Sequence, residues 1–124
     1  MPQAAYLWRF SMNGAVWFNG EELGRVGRFD EPVARHWNRP LLVELPRGLW
    51  RAAGDPRGNG LLVRLLVYPG FGHLMPPALG DTEGLRPDFG RRMSMQITLS
   101  QAAAAITLLA LAAAAALWAV APTP

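Results

Sequence analysis

The C-terminal quarter of this chain carries no formal charge, and that property constrains the fold more than any other feature. None of the 12 basic and 9 acidic residues lies between Met93 and Pro124, and Thr107 supplies the only polar side chain from Ala102 to Ala121. A helix rises about 1.5 Å per residue, so roughly 20 residues cross a hydrocarbon layer about 30 Å thick. The roughly 90 residues before this run are too few to bury such a helix on all sides, as a soluble bundle would. We therefore predict one membrane-spanning helix.

Most side chains of this helix are alanine, which is only weakly hydrophobic. Larger side chains therefore supply most of the free energy of insertion, and a tryptophan near the end matches an interfacial aromatic belt. The expected anchoring residues are Leu108, Leu109, Leu111, Leu117 and Trp118. The predicted organisation is a β-domain over residues 1–90, a juxtamembrane segment over 91–96 and the membrane helix over 97–121.

The charged part of the chain has the pattern of an all-β domain. Asn19-Gly20 follows an apolar run and predicts a type I′ hairpin turn, because both residues tolerate positive φ. The segment Leu61–Tyr68 is almost continuously apolar, which predicts a central strand buried on both faces. Short strands separated by turn signals are typical of a sandwich or barrel, and no βαβ alternation is visible. The other strand-like segments are 5–10, 15–18, 23–29, 41–45 and 77–79.

Composition excludes several classes of function. The chain has no cysteine, which excludes disulfides, thiolate catalysis and cysteine-ligated zinc. Its basic residues are all arginine, and those from Arg9 to Arg64 are spread singly, unlike the clustered charge of a nucleic-acid surface. His36 and His73 have no carboxylate at ligand spacing, so we predict exposed loop histidines rather than a metal site. Neither an acidic pair across a cleft nor a nucleophile motif is visible. We expect no enzymatic activity, no cofactor, no metal and no nucleic-acid partner.

The candidate ligand site lies in the predicted loop over residues 31–40. An aromatic ring beside an amide and a guanidinium suits a sugar or a carboxylate ligand. An alternative remains open, in which Trp37 packs at the end of the sandwich and Arg39 pairs with Glu31 or Asp30. The loop tip over residues 69–73 is a second candidate, bordering either a ligand site or the membrane surface. The residues of the first candidate are His36, Trp37, Asn38 and Arg39.

An ordered series of segments resembles one family of membrane sensors. The segments are Val16–Gly20, Leu23-Gly24, Trp37–Pro40, Gly58-Asn59 leading into Leu61–Leu65, and Arg91-Arg92 before the apolar run. Together they resemble the extracellular region and first membrane helix of bacterial seven-transmembrane receptors with diverse intracellular signalling modules. The resemblance implies a jelly-roll similar to galactose-binding domains, with Asn19, Gly20, Gly58 and Asn59 as turn residues. It also implies a histidine kinase or diguanylate cyclase output that this chain lacks.

The resemblance implies a location in the bacterial inner membrane, with the β-domain facing the periplasm and binding a small molecule or carbohydrate. A jelly-roll has about eight strands, and fewer are visible here, so we expect a fragment of a receptor that dimerises through its missing signalling region. Arg91-Arg92 beside the span opposes this orientation by the positive-inside rule. The main alternative is a stand-alone, single-pass accessory or structural subunit of a membrane complex. A sugar-binding piece of a glycosidase fits the membrane span less well.

Overall fold

A computed structural model describes residues 1–30 and 39–120, which form two three-stranded antiparallel sheets followed by one long helix. One sheet has the strand order β4-β1-β6 and the other the order β3-β2-β5. The strands are β1 (Gln3–Leu7), β2 (Asn13–Phe18), β3 (Glu21–Val26), β4 (Leu41–Leu45), β5 (Leu61–Leu66) and β6 (Ala78–Asp81). The helical part comprises α1 (Thr82–Met93), a π-helical segment (Ser94–Thr98) and α2 (Leu99–Val120), and a 3₁₀ turn covers Arg47–Leu49. The predicted combination of β-strands and a C-terminal apolar helix is confirmed at this level.

The two sheets share one hydrophobic core, to which each contributes alternate side chains of its strands. Its buried members are Ala5, Leu7, Phe10, Val16, Phe18, Val26, Val43 and Leu45. The sheets approach each other tightly at Gly24 on β3, where a Cβ atom would lie 2.7 Å from Cγ1 of Val43 on β4. Glycine is therefore required for β3 and β4 to approach this closely.

The hairpin between β2 and β3 turns at Asn19-Gly20, where φ is +50° and +93°. Both residues thus have the positive φ of a type I′ turn. The Asn19 side chain also donates to Leu49 O at 2.6 Å and to Asn59 Oδ1 at 2.8 Å. In return, its Oδ1 accepts the Gly60 amide at 2.8 Å. Asn19 and Asn59 therefore fix the long loop before β5 onto the hairpin.

The central strand of the first sheet, β1, is buried on both faces. Ala5 and Leu7 face the shared core, whereas Ala4 and Tyr6 lie on the opposite face, where Tyr6 contacts Phe89 of α1. The prediction of a doubly buried central strand at Leu61–Tyr68 was wrong, because among the described strands β5 is an edge strand that pairs with β2 alone. Its inner side chains pack on the core, but Leu62 is 62% exposed. Continuous apolarity shows that a strand can be buried, whereas sheet order decides whether it is.

The helix begins at Thr82, inside the range predicted for the β-domain and before the predicted juxtamembrane segment. Asp81 caps it by accepting the Gly84 amide, while the Thr82 amide and hydroxyl both donate to Pro2 O. It continues without a break to Val120, 39 residues in all, and is long and apolar enough to cross a membrane. The 22 residues of α2 alone extend about 33 Å at about 1.5 Å per residue.

Candidate functional site

A pocket of about 320 Å³ lies where the end of β3, the start of β4 and the helix α1 meet. We name it the helix-side pocket. Its lining comprises Arg25, Val26 and Gly27 from the β3 side, Arg39, Pro40, Leu41 and Leu42 from the β4 side, and Phe89 and Met93 from α1. Two guanidinium groups and an apolar wall in one concave site suit a small amphiphilic anion.

The pocket depends on how α1 packs against the first sheet. Phe89 meets the ring of Tyr6 edge-to-face, with ring centroids 6.2 Å apart and an interplanar angle of 86°. Four residues further along, Met93 lies on the same helix face, because the helical period brings residues i and i+4 into line. The apolar wall of the pocket therefore belongs to a helix held in place by β1.

Arg25 is one of the two cations, and it already has a partner. Its guanidinium donates to both carboxylate oxygens of Glu22, at 2.6 and 2.7 Å. Hydrogen bonding from Arg25 lowers the pKa of Glu22 below its ordinary value. This pair holds the Arg25 side chain on the outer face of β3, so its charge at the pocket is partly compensated.

Arg39 is the second cation, and within residues 1–30 and 39–120 it has no hydrogen-bond or ion-pair partner. Its side chain is exposed at the rim of the pocket. The predicted alternative pairing with Asp30 does not form, because Asp30 accepts from Arg28 at 2.6 and 3.2 Å, and the alternative pairing with Glu31 lies outside the described residues. A planar guanidinium with uncommitted donors can hold a carboxylate or phosphate through two parallel hydrogen bonds. Arg39 is therefore the side chain best placed to bind an anion here.

Of the predicted ligand residues, His36, Trp37 and Asn38 lie outside the described residues, and only Arg39 is placed. The pocket walls supplied by Arg25, Phe89 and Met93 were not predicted. Their sequence signal is weak, since each is ordinary in its own segment. The recurrence of Leu85, Phe89 and Met93 every fourth residue is the one local pattern that indicates a helix face.

His73 is not the exposed loop histidine that the sequence predicts. Its ring is half-buried, and Nδ1 lies 2.8 Å from Oγ of Ser11. Ser11 is fully buried, and its Oγ also donates to Phe71 O at 2.9 Å and accepts the His73 amide at 2.7 Å. A serine with all its hydrogen-bonding capacity in use and no exposure is a structural link rather than a nucleophile.

The predicted anchoring side chains all project from α2 into the surroundings of the protein. Their exposed fractions run from 62% at Leu111 to 83% at Trp118, and no residue of α2 is buried. Among the described residues, no cluster of three or more His, Asp or Glu side chains could hold a metal ion.

Comparison of the chain with protein-family models, curated proteins and solved structures finds no significant match.

Proposed function

We propose that this chain is the extracytoplasmic sensory part of a membrane signal-transduction receptor, and that its ligand is a small anion bound in the helix-side pocket. The jelly-roll character of the β-domain and a histidine kinase or diguanylate cyclase output belong to the same proposal. One observation carries it: a single continuous helix forms the apolar wall of the pocket and then the apolar span. An occupant of the pocket therefore touches the element that enters the bilayer.

The proposed mechanism is a shift in the population of helix positions. A ligand whose anionic group binds Arg39 and whose apolar part contacts Phe89 stabilises the arrangements of α1 in which both contacts form. Between the pocket and α2 lies the π-helical segment Ser94–Thr98, and such turns inside α-helices are frequent at functional sites. A displacement of α1 against the sheet is thereby passed to the span as a change in tilt or rotation.

The ligand part of the proposal is tested with a panel of small carboxylates, organic phosphates and acidic sugars. The full chain is placed in lipid nanodiscs and its unfolding temperature is measured with each compound. We expect at least one compound to raise the temperature for the natural chain but not for Arg39→Ala. Arg47→Ala is the matched control, since Arg47 is exposed, lies in the 3₁₀ turn and does not line the pocket. Equal stabilisation of the Arg39→Ala variant, or no stabilisation by any anion, would refute the pocket as the ligand site.

The coupling part is tested between the pocket and α2. Because the chain has no cysteine, Met95→Cys gives a single labelling site in the π-helical segment, where Met95 is 61% exposed. The stabilising anion should change the spectrum of an environment-sensitive label at this position, and the change should disappear in Arg39→Ala. A bound anion that leaves the label unaffected would show binding without coupling.

The proposed orientation places the β-domain outside the cytoplasm, against the charge of Arg91-Arg92. Ala53→Cys lies in an exposed loop remote from the helix exit and reports the side on which the domain lies. An impermeant maleimide added to spheroplasts should modify it without lysis. Modification only after lysis would place the domain in the cytoplasm.

A second candidate function rests on the edge strand β5. It pairs on one side only, and Leu62 on its outer face is 62% exposed. An open edge with apolar side chains accepts a strand from a partner, as expected of an accessory subunit in a membrane complex. A photo-crosslinker at Leu62 that captured one specific membrane protein would favour this candidate.

A further inference from the structure

The direction in which the helix leaves the β-domain is fixed by contacts along its length. Each successive turn of α1 touches the first sheet further along β1. The contacts in order are Thr82 with Pro2, Arg86 with Glu44 (opposite Ala4), Phe89 with Tyr6, and Arg92 over the ring of Trp8. The helix therefore runs in the same direction as β1 and departs beyond Trp8. We call this side of the sandwich the exit end.

A loop over residues 67–77, the Phe71 loop, lies at the exit end. Its second half pairs with the chain just beyond Trp8, through the Met75 amide to Arg9 O at 3.1 Å and the Ser11 amide to His73 O at 2.9 Å. Its tip is a turn closed by the Phe71 amide on Tyr68 O at 3.0 Å, with Gly70 at φ +82°. Proline followed by a glycine with positive φ is typical of a type II turn.

The Phe71 loop exposes large apolar side chains although it is firmly held. Ser11 bonds to the loop backbone at Phe71 and at His73, so the loop is fixed at its base. The Phe71 side chain is nevertheless 69% exposed. The exposed fraction is smaller at Val67 (40%), Tyr68 (44%) and Leu74 (39%). Aromatic and aliphatic groups presented together on a fixed loop indicate a surface that is covered in use.

The short distance along the helix between its last contact with the sandwich and the start of the apolar run places the exit end close to the bilayer. The half-buried positions of the helix recur on its protein-facing side and end at Ile97, whereas every position from Thr98 to Val120 is exposed. The fully apolar run begins at Ala102, five residues after Ile97. Five residues of helix rise about 7.5 Å, about the thickness of one lipid headgroup layer. Only the four exposed residues from Thr98 to Gln101 separate the sandwich from the predicted span.

The charge at the exit end matches a phospholipid surface. Described charged residues at this end include Arg9, Arg28, Arg39, Arg91 and Arg92, together with Asp30 and Asp88. Arg28 and Arg91 are paired with these two aspartates, at 2.6 Å in both cases. Among the described residues, Arg9, Arg39 and Arg92 have no acidic partner, and they lie on the side where phosphate groups would lie.

We propose that the exit end of the sandwich rests on the membrane that α2 spans, with Phe71 inserted among the headgroups and these three arginines on lipid phosphates. This inference relies on the membrane span of the proposed function but not on its ligand. A lipid surface fits better than a protein partner, because the apolar loop and the three arginines all lie where the helix enters the span. Interfacial aromatic and basic groups are the usual means by which a protein surface contacts a bilayer.

The test uses single-cysteine variants of the full chain, reconstituted into phosphatidylcholine vesicles with and without an anionic phospholipid. Phe71→Cys reports on the loop, Ala53→Cys on the opposite end of the sandwich and Ala112→Cys on the middle of α2. Each carries a nitroxide label, and its collision rates with oxygen, which concentrates in lipid, and with a water-soluble nickel complex are compared. We expect position 71 to show a depth at the headgroups, position 112 a depth in the hydrocarbon and position 53 full contact with water.

The outcomes separate this inference from the proposed function. A label at position 71 that is as accessible to the nickel complex as the label at position 53, while position 112 is protected, would overturn the membrane contact and leave the span intact. A label at position 112 in water would overturn the span and the membrane contact together. A deeper position 71 in anionic vesicles than in neutral ones would support the role of the arginines.

Discussion

Ser11 and His73 lie 62 residues apart in the sequence, yet they join the connection between β1 and β2 to the Phe71 loop. The Ser11 hydroxyl serves three groups of that loop, namely Phe71 O, the His73 amide and the His73 ring. Buried polar groups are costly when unpaired, so one small side chain satisfies several groups that the loop would otherwise leave without partners. The Phe71 loop is held by this serine and by backbone hydrogen bonds to Arg9 and Ser11 rather than by burial of its own apolar residues.

Ser11→Ala should therefore destabilise the β-domain. Two part-buried backbone groups and one ring nitrogen would lose their partner, at a cost on the order of 1–3 kcal/mol in the free energy of unfolding. Ser94→Ala is the matched control, because Ser94 is exposed and should change stability little. Urea unfolding of the full chain in detergent, followed by tryptophan fluorescence, measures the difference. Equal stability of the two variants would contradict the role given to Ser11.

Tyr6 offers a test of the contact between α1 and the first sheet. Burial raises the pKa of Tyr6 above its ordinary value of 10.0, and the nearby charge of Arg92 opposes the rise. A raised pKa in the folded state means that the neutral form is favoured there, so this contribution to stability is complete below pH 10 and is lost as the pH rises through the folded-state pKa.

Tyr6→Phe should separate these effects. The Tyr6 hydroxyl is buried and has no hydrogen-bond partner among the described residues. At pH 7 the variant should thus be as stable as the natural chain or more stable, since it keeps the ring contact with Phe89 and removes an unsatisfied hydroxyl. Above pH 10 the variant should lose less stability than the natural chain. Thermal unfolding at both pH values measures this, and an equal loss in the two proteins would contradict it.

At the scale of elements, the features that could be predicted from sequence are those set by neighbouring residues. The turn at Asn19-Gly20 and the strand Leu41–Leu45 follow from local chemistry, and both are present. The burial of β5 could not be predicted, because it depends on which strand pairs beside it. The helix α1 was missed because Pro87 and two glycines mask its pattern, whereas packing of Phe89 on Tyr6 stabilises it.

The residues of the candidate site also fall into those that local sequence could predict and those that depend on tertiary structure. Arg39 was predicted from a local cluster of ligand-type residues, and it lies at the rim of the helix-side pocket. Arg25 and Phe89 could not be assigned to a site from sequence, because they come from a strand and a helix that meet only in the folded domain. The pocket is thus a product of tertiary structure, and a single segment contains only part of it.

Gly24→Ala tests the close approach of β3 and β4. The added Cβ would lie 2.7 Å from Cγ1 of Val43, so the sheets must separate or Val43 must move. We expect a loss on the order of 1–3 kcal/mol in the free energy of unfolding, as for other overpacked cores. Gly48→Ala is the control, since a Cβ there meets nothing within 4 Å. The double variant with Val43→Ala should cost less than the sum of the single changes. Additive effects would show that the two residues do not limit the spacing.

At the scale of the whole molecule, one continuous helix is part of both the β-domain and the predicted membrane span. Its first part is covered on one side by the first sheet, and its last part exposes apolar side chains on every side. None of the 22 residues of α2 is buried by the β-domain, so in water the apolar side chains of this helix would all be exposed to solvent. Packing against the β-domain therefore does not explain why α2 is apolar on every side. The proposals about ligand, lipid surface and orientation all depend on this element crossing a bilayer.

Leu109→Arg tests that requirement. An arginine at the centre of a membrane helix costs about 2.5–3.5 kcal/mol on insertion scales, and an alanine-rich helix has little excess hydrophobicity to offset it. The variant should be released from membranes by alkaline carbonate, whereas the natural chain should stay with the pellet. Gln101→Arg is the matched control, because an arginine at the start of the span can extend its charge to the headgroups and should leave the chain anchored. Release of both variants would indicate that added charge alone dislodges the chain. Retention of Leu109→Arg would show that α2 lies on the membrane or is covered by protein, and would remove the basis for a spanning helix.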